Sequence, residues 1–541
     1  MLRFQVFDDG EPAETWPIRN AHLIGSDQSA MRGEITFDNG YLICRKREMG
    51  AAALALQMPL GECGELTVQT CLLPERDQPY LLSLELARHR IMLLYNKLEE
   101  WGVFELPEDH PAARRFDRAR KLFIEALCVR DEDAIKADRL ASEALVNAID
   151  GSEELALAHA EMLLNRRKQT GNLPRWPIGC GVALEHSHER VRAGLSSNFD
   201  FVCLPLPWRQ LSPAESEYRW DRGDDWIEWA SRTRMPVLAG PLISFAPTMA
   251  PDWVFLWEHD YDEMREVIYE HLERVVNRYR NVVTVWNVIS GLHVNEHVQL
   301  SFDQLMDLTR MATMLVKKVQ PSAKVLVELC QPFGEYYGHN QRSIPPLMYA
   351  DLLVQSAISF DAFSIKFQIG HAVSGQYTRD LMQLSHLLDQ FAGYGKALHV
   401  TVAAPSEQIT PMMIASPDGL NPADANGGCW RRPWSQQVQS RWLEAALSVV
   451  LSKPSVESVA WQDMVDHPDA ELPLSGLVSE DLQPKPAFKR AIAFRRALAT
   501  RTPIETTAPI RNIGVKPGEI GGDAASMMPG IDAGIRAPKE S

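Results

Sequence analysis

The sequence predicts an α/β protein: a (β/α)8 TIM barrel over residues 177–500, preceded by a small N-terminal β domain (1–80) and a helical connector (81–170). Two observations carry the barrel. Eight short apolar runs alternate with amphipathic stretches over roughly 320 residues, the pattern of a closed parallel sheet ringed by helices. No glycine-rich phosphate loop follows the first run, which sets a doubly wound open sheet aside. A change of hydrophobic period near Tyr80, from alternation to helix-like spacing, separates the first two segments.

In the first segment, Leu2–Phe7, Glu34–Phe37, Tyr41–Lys46 and Glu65–Leu72 read as strands. Asp38-Asn39-Gly40 marks a hairpin, because Asn-Gly tolerates the positive φ angles of a tight turn; together these runs predict a small sandwich. In the second, Leu82, Leu86, Ile91, Leu94 and Leu98 recur on one helical face. Residues 134–148 and 153–164 follow as two separate amphipathic helices whose charges read as solvated. The barrel strands are predicted at Ile178–Leu184, Asp200–Leu204, Pro236–Leu242, Val282–Val288, Lys324–Glu328, Asp361–Phe367, Leu398–Val402 and Val456–Trp461. The tail from residue 502 to 541, rich in Gly, Pro and Ala, is expected to be disordered.

Composition narrows the partners. A net charge of −16 disfavours nucleic acid and anionic lipid, both of which need clustered Lys and Arg, and leaves neutral polymers such as carbohydrate. The 8 cysteines form no CxxC pair and read as isolated thiols. The N-terminus turns acidic at Asp8 before an apolar signal core develops, and no apolar run reaches about 20 residues, so a cytoplasmic location is expected.

Several local patterns occur in a telling order: Phe199-Asp200-Phe201-Val202, then Gly240-Pro241-Leu242-Ile243-Ser244-Phe245 with Pro251-Asp252-Trp253. Val285-Trp286-Asn287-Val288-Ile289 follows, then residues 361–371, then Trp461-Gln462-Asp463 and Pro484-Lys485-Pro486-Ala487-Phe488. In this order the barrel resembles glycoside hydrolase family 10, the xylanase-type family. The resemblance implies a β-linked, xylan-type glycan as substrate and retaining hydrolysis, which needs a nucleophile and a proton donor about 5–5.5 Å apart.

The departures fall on that chemistry. Gly291 stands where the resemblance places the acid/base glutamate, and Val402 where it places the nucleophile. Pro241 replaces a substrate-binding His, and Leu204-Pro205-Leu206-Pro207-Trp208 replaces a sugar-contacting motif. Glu328, at the end of the fifth strand, and Glu296, on the loop after the fourth, are the substitute candidates, with Glu407 a third. For sugar binding, Trp286, Trp430 and Trp461 offer stacking faces, and Asn287, Gln368 and Asp463 offer hydrogen bonds. The loop 404–434 is long enough to form a rim or lid.

Two alternatives stay open. One is a non-catalytic glycan-binding or scaffolding pseudoenzyme. The other is a metal-dependent hydrolase, suggested by His186-Ser187-His188, by the H-x-x-E-H run from His293 to His297, and by His371 and Asp463. For the glycosidase-type barrel neither a metal nor a cofactor is expected.

Overall fold

The computed structural model describes residues 1–102, 107, 109–340, 342–409, 426–500 and 502–506. Its centre is a closed parallel barrel whose strands, in order, are Ile178–Gly181, Phe201–Leu204, Val237–Ala239, Val285–Ser290, Lys324–Leu329, Ala362–Gln368, Ala397–Ala403 and Val456–Trp461. All eight predicted strands are present, with ends moved by a few residues. The first and eighth strands close the ring at Gly181, where a Cβ would lie 1.8 Å from the carbonyl oxygen of Gln462. Only glycine allows that approach.

Strand alternation sorts the side chains. On the sixth strand Phe363, Ile365 and Phe367 join the apolar layer beneath the helices, so Ser364, Lys366 and Gln368 take the inner face. Trp442, from the helix Gln436–Ser452, packs between Phe367 (centroids 6.3 Å apart) and Trp461 (6.1 Å). These two contacts fix the outer face of the sixth and eighth strands. Val402 is in register with both Phe367 and Trp461, and therefore points outward as well.

The N-terminal segment forms a four-stranded and a five-stranded sheet. The outermost strand of the latter is Cys429–Trp430, donated by the barrel loop and paired with Gly64 and Glu65. Helices Leu82–Glu100, Pro111–Val129 and Ala134–Thr170 follow. The two helices expected in the last stretch are instead one of 37 residues, running through Gly151. A Cβ at Gly151 would come within 3.0 Å of Arg115, so the glycine serves close packing against the neighbouring helix rather than a break. The middle of this helix is buried, including Asp150 and Glu153, contrary to the solvated faces expected there.

The start of the tail also departs from expectation. Asn165 brackets Ile504 through two hydrogen bonds, and Thr506 Oγ1 donates to the Leu157 carbonyl at 2.6 Å, so residues 502–506 are held against the long helix. Residues 507–541, the rest of the segment read as disordered, and residues 410–425 of the long loop lie outside the described residues. Among the described residues no helix is long and apolar enough to cross a membrane.

Candidate active site

The inner-face residues open into a cavity of about 430 Å³ at the C-terminal mouth of the barrel, where such barrels keep their chemistry. At its floor lies Glu328, 4% exposed. Asn287 Nδ2 donates to one carboxyl oxygen at 2.8 Å and Ser364 Oγ to the same oxygen at 3.1 Å; Ser290 Oγ donates to the other at 2.7 Å. Lys366 Nζ stands 3.6 Å from Glu328 and 2.7 Å from Glu471, so a single ammonium bridges two carboxyl groups. Burial disfavours the charge on Lys366, but Glu471 and Glu328 outweigh it and hold the group protonated well above its ordinary range. Replacing Lys366 with Met leaves Glu328 buried without its counter-ion. The expected cost is about 2–4 kcal/mol of unfolding free energy, read by urea titration, and Glu328→Gln in the same chain should recover much of it.

A row of amides crosses the other wall. Gln368 Nε2 donates to Gln462 Oε1 (2.7 Å), Gln376 Nε2 to Gln368 Oε1 (3.0 Å), and His371 Nδ1 meets Gln376 Oε1 (2.9 Å). Burial lowers the pKa of His371, and the bond to Gln376 only partly offsets it. The ring is therefore neutral with its proton on Nδ1, which leaves Nε2 an acceptor. On the rim, Asp463 accepts from Ser475 Oγ (3.1 Å) and lies 3.5 Å from His467 Nε2. Burial lowers the pKa of His467, but the bond to Asp463 and its charge more than compensate, and the net shift is upward.

Of the residues singled out in the sequence, Glu328, Glu296, Asn287, Gln368 and Asp463 line this cavity, Glu296 as an exposed rim residue. The three tryptophans do not, which corrects the stacking role expected of them. Trp286 Nε1 donates to Gln320 (2.8 Å), Trp430 Nε1 to Glu153 (2.8 Å) and Trp461 Nε1 to the Ser475 carbonyl (2.7 Å). All three are buried in packing outside the mouth because their backbone positions face outward or lie on the N-terminal sheet. Lys366, Glu471, Gln376 and Gln462 were missed. The sixth strand did carry a signal, since its polar residues alternate strictly with Phe363, Ile365 and Phe367.

The two positions of the resemblance are also placed. Gly291 has φ +74°, and a Cβ there would lie 3.1 Å from Cys330 Sγ. Gly291→Glu should therefore cost about 1–3 kcal/mol of stability, measured by urea titration, and should create no glycosidase activity. Val402 faces the outer layer, so no side chain at that position reaches the mouth; the inner neighbour on the same strand is Thr401. For the metal alternative, His293 is fully buried, stacked on Tyr349, with Nε2 on the Cys330 carbonyl at 3.0 Å. His186 and His467 meet edge to face with centroids 5.6 Å apart. Among the described residues no group of three or more His, Cys, Asp or Glu side chains is arranged to hold a metal ion.

Residues 181–318, from the last residue of the first barrel strand through the helix after the fourth, match the model of Glycosyl hydrolase family 10. Endo-1,4-beta-xylanase A of Xylanibacter ruminicola is 25% identical over 181 residues, covering 30% of this chain and 46% of that protein, so the chain spans about half of that relative's length. Among solved structures, xylanase 10B from Thermotoga maritima covers 63% of this chain and 99% of its own at 13% identity and a TM-score of 0.43. Xylanase 10B from Thermotoga petrophila covers 62% and 97% at 14% identity, TM-score 0.43. Over residues 181–318 the barrel is similar to Glycosyl hydrolase family 10, at low identity to the xylanase that it matches.

Proposed function

We propose that the barrel mouth recognises a β-linked glycan and does not cleave it by the two-carboxylate route. One observation carries this reading: Glu328 is occupied by Asn287, Ser290, Ser364 and Lys366, while positions 291 and 402 supply no ionisable group to the mouth. A carboxyl group bound by three donors and an ammonium is a poor nucleophile, since attack on a sugar carbon must first break those contacts. The amides of Gln368 and Gln462 and the ring of His371 are suited to sugar hydroxyls.

A second reading is a glycosidase with relocated carboxylates, and Glu328 with Glu471 favours it over Glu328 with Glu296. Both approach the same Lys366 nitrogen, so their oxygens are no further apart than the sum of those two contacts. An aryl β-xylobioside and xylotetraose decide between the readings. The expected result is calorimetric binding of xylotetraose, weakened by Gln462→Ala, with no release of the aryl alcohol. Turnover that disappears in both Glu328→Gln and Glu471→Gln would replace the binding reading with the catalytic one.

A further inference from the structure

The mouth is one-sided in charge and in hydrogen-bonding sense, and we propose that it takes a glycan bearing protonated amines, a β-linked amino sugar, in preference to a neutral one. This rests on the glycan reading above and names the class of sugar. Six acidic side chains line the cavity, Glu185, Glu296, Glu328, Asp463, Asp469 and Glu471, against one lysine and no arginine. Lys366 is consumed by Glu328 and Glu471, Glu185 pairs with Arg222 outside the cavity, and His467 leans on Asp463. Glu296 and Asp469, both exposed on the rim, have no ion-pair partner among the described residues. A cleft of one sign with protein walls concentrates ligands of the opposite sign.

Acidic residues alone would not define a ligand, but two buried acceptors independently do. Asn287, 2% exposed, spends its amide nitrogen on Glu328 and leaves Oδ1 without a partner. His371, 7% exposed, spends Nδ1 on Gln376 and leaves Nε2 without one. Buried acceptors left unpaired cost free energy until something donates to them. An alkylammonium supplies three donors and a positive charge; a hydroxyl supplies one donor and no charge. Both the orphaned atoms and the unpaired rim carboxylates are met by the first.

The test uses the full chain and three tetramers: β-1,4-linked glucosamine, its N-acetylated counterpart, and xylotetraose, titrated calorimetrically below the amine's own pKa. The glucosamine tetramer is expected to bind about tenfold more tightly than either neutral oligomer at low salt, with the advantage shrinking as salt rises. The Glu296→Gln/Asp469→Asn double variant, confined to exposed side chains, should reduce that advantage, read as the ratio of glucosamine-tetramer to xylotetraose affinity. Equal or tighter binding of xylotetraose, or a preference untouched by salt and by the double variant, overturns the inference and leaves the glycan reading standing. Failure of all three oligomers to bind removes both.

Discussion

Acidification from pH 6.5 towards 4 should unfold this protein steeply, because it buries several histidines that cannot take up a proton while folded. Burial lowers His271 to about 3 and His293 to about 4. It lowers His399 to about 3 with help from Lys324, and His159 to about 4 with help from Lys453. His293 shows the cause: Nε2 is engaged by the Cys330 carbonyl and Nδ1 is buried without a partner, so a second proton would have no acceptor. Above pH 6.5 these rings are neutral in both folded and unfolded chains and contribute no pH dependence. Below it the unfolded chain binds protons that the folded chain refuses, and stability falls until the folded pKa is reached. Each such histidine removes about 1.4 kcal/mol per pH unit at full slope, so four together remove at most about 5 kcal/mol per unit. That compares with a total stability of about 5–15 kcal/mol for a folded domain. His467 acts oppositely. Its raised pKa adds stability that is fully present below pH 6.5 and is lost as pH rises through the folded value, but it is one group against those four and against His89 and His386, which burial lowers to about 3 and about 4. Urea midpoints measured from pH 7.5 to 4.5 should fall continuously below 6.5, and His399→Asn should flatten the slope. A midpoint constant between pH 7 and 5 would show that the buried rings accept protons in place.

The barrel was legible because its information is local. Each strand is a short apolar run, each helix an amphipathic one, and the order of motifs around Trp286, Asp463 and Pro484 added the family resemblance. Glu328, Asn287, Gln368 and Asp463 were found by the rule that strand ends face the mouth. The rule failed for Trp286 and Trp461 because it ignores the two-residue period. Asn287 and Gln462 face in, and the tryptophan beside each must then face out. The same period makes Val402 the wrong side of its strand for chemistry. Glu471 and Gln376 were invisible for a different reason: they sit on loops whose return to the mouth depends on tertiary contacts. Gln376, for example, is placed by Gly375 N donating to Glu335 at 2.7 Å, while Glu335 is bound by Asn20 of the N-terminal segment and by Arg379. No sequence periodicity encodes a contact between residues 20 and 335.

Arg431 makes a buried long-range connection, and Arg431→Met is expected to cost about 3–5 kcal/mol. Its guanidinium pairs with Asp150 and Glu153 in the middle of the 37-residue helix, all three being nearly inaccessible to water. Burial disfavours the charge on Arg431, but Glu153 and its neighbours more than restore it. Removing the cation strands the Glu153 carboxylate where water cannot reach it and leaves Asp150 only the partly exposed Arg115, 3.4 Å away, and stranded charge costs more than the intact ion pair contributes. The damage should not stop there. Glu153 also accepts from Trp430 Nε1 (2.8 Å) and from the backbone of Leu381 (2.9 Å), and Arg431 N donates to the Cys63 carbonyl (2.9 Å). The Cys429–Trp430 strand and the N-terminal sheet are thus anchored at one point, and Gly427, just before that strand, packs against the backbone of His371 at the mouth. Neutralising all three partners, as Arg431→Met/Asp150→Asn/Glu153→Gln, should recover most of the loss in denaturant titration, since the cost arises from unpaired charge and not from the missing side-chain volume. If Arg431→Met alone unfolds within about 1 kcal/mol of the parent, water reaches Asp150 and Glu153, and the N-terminal segment and the barrel are held together by their apolar contact instead.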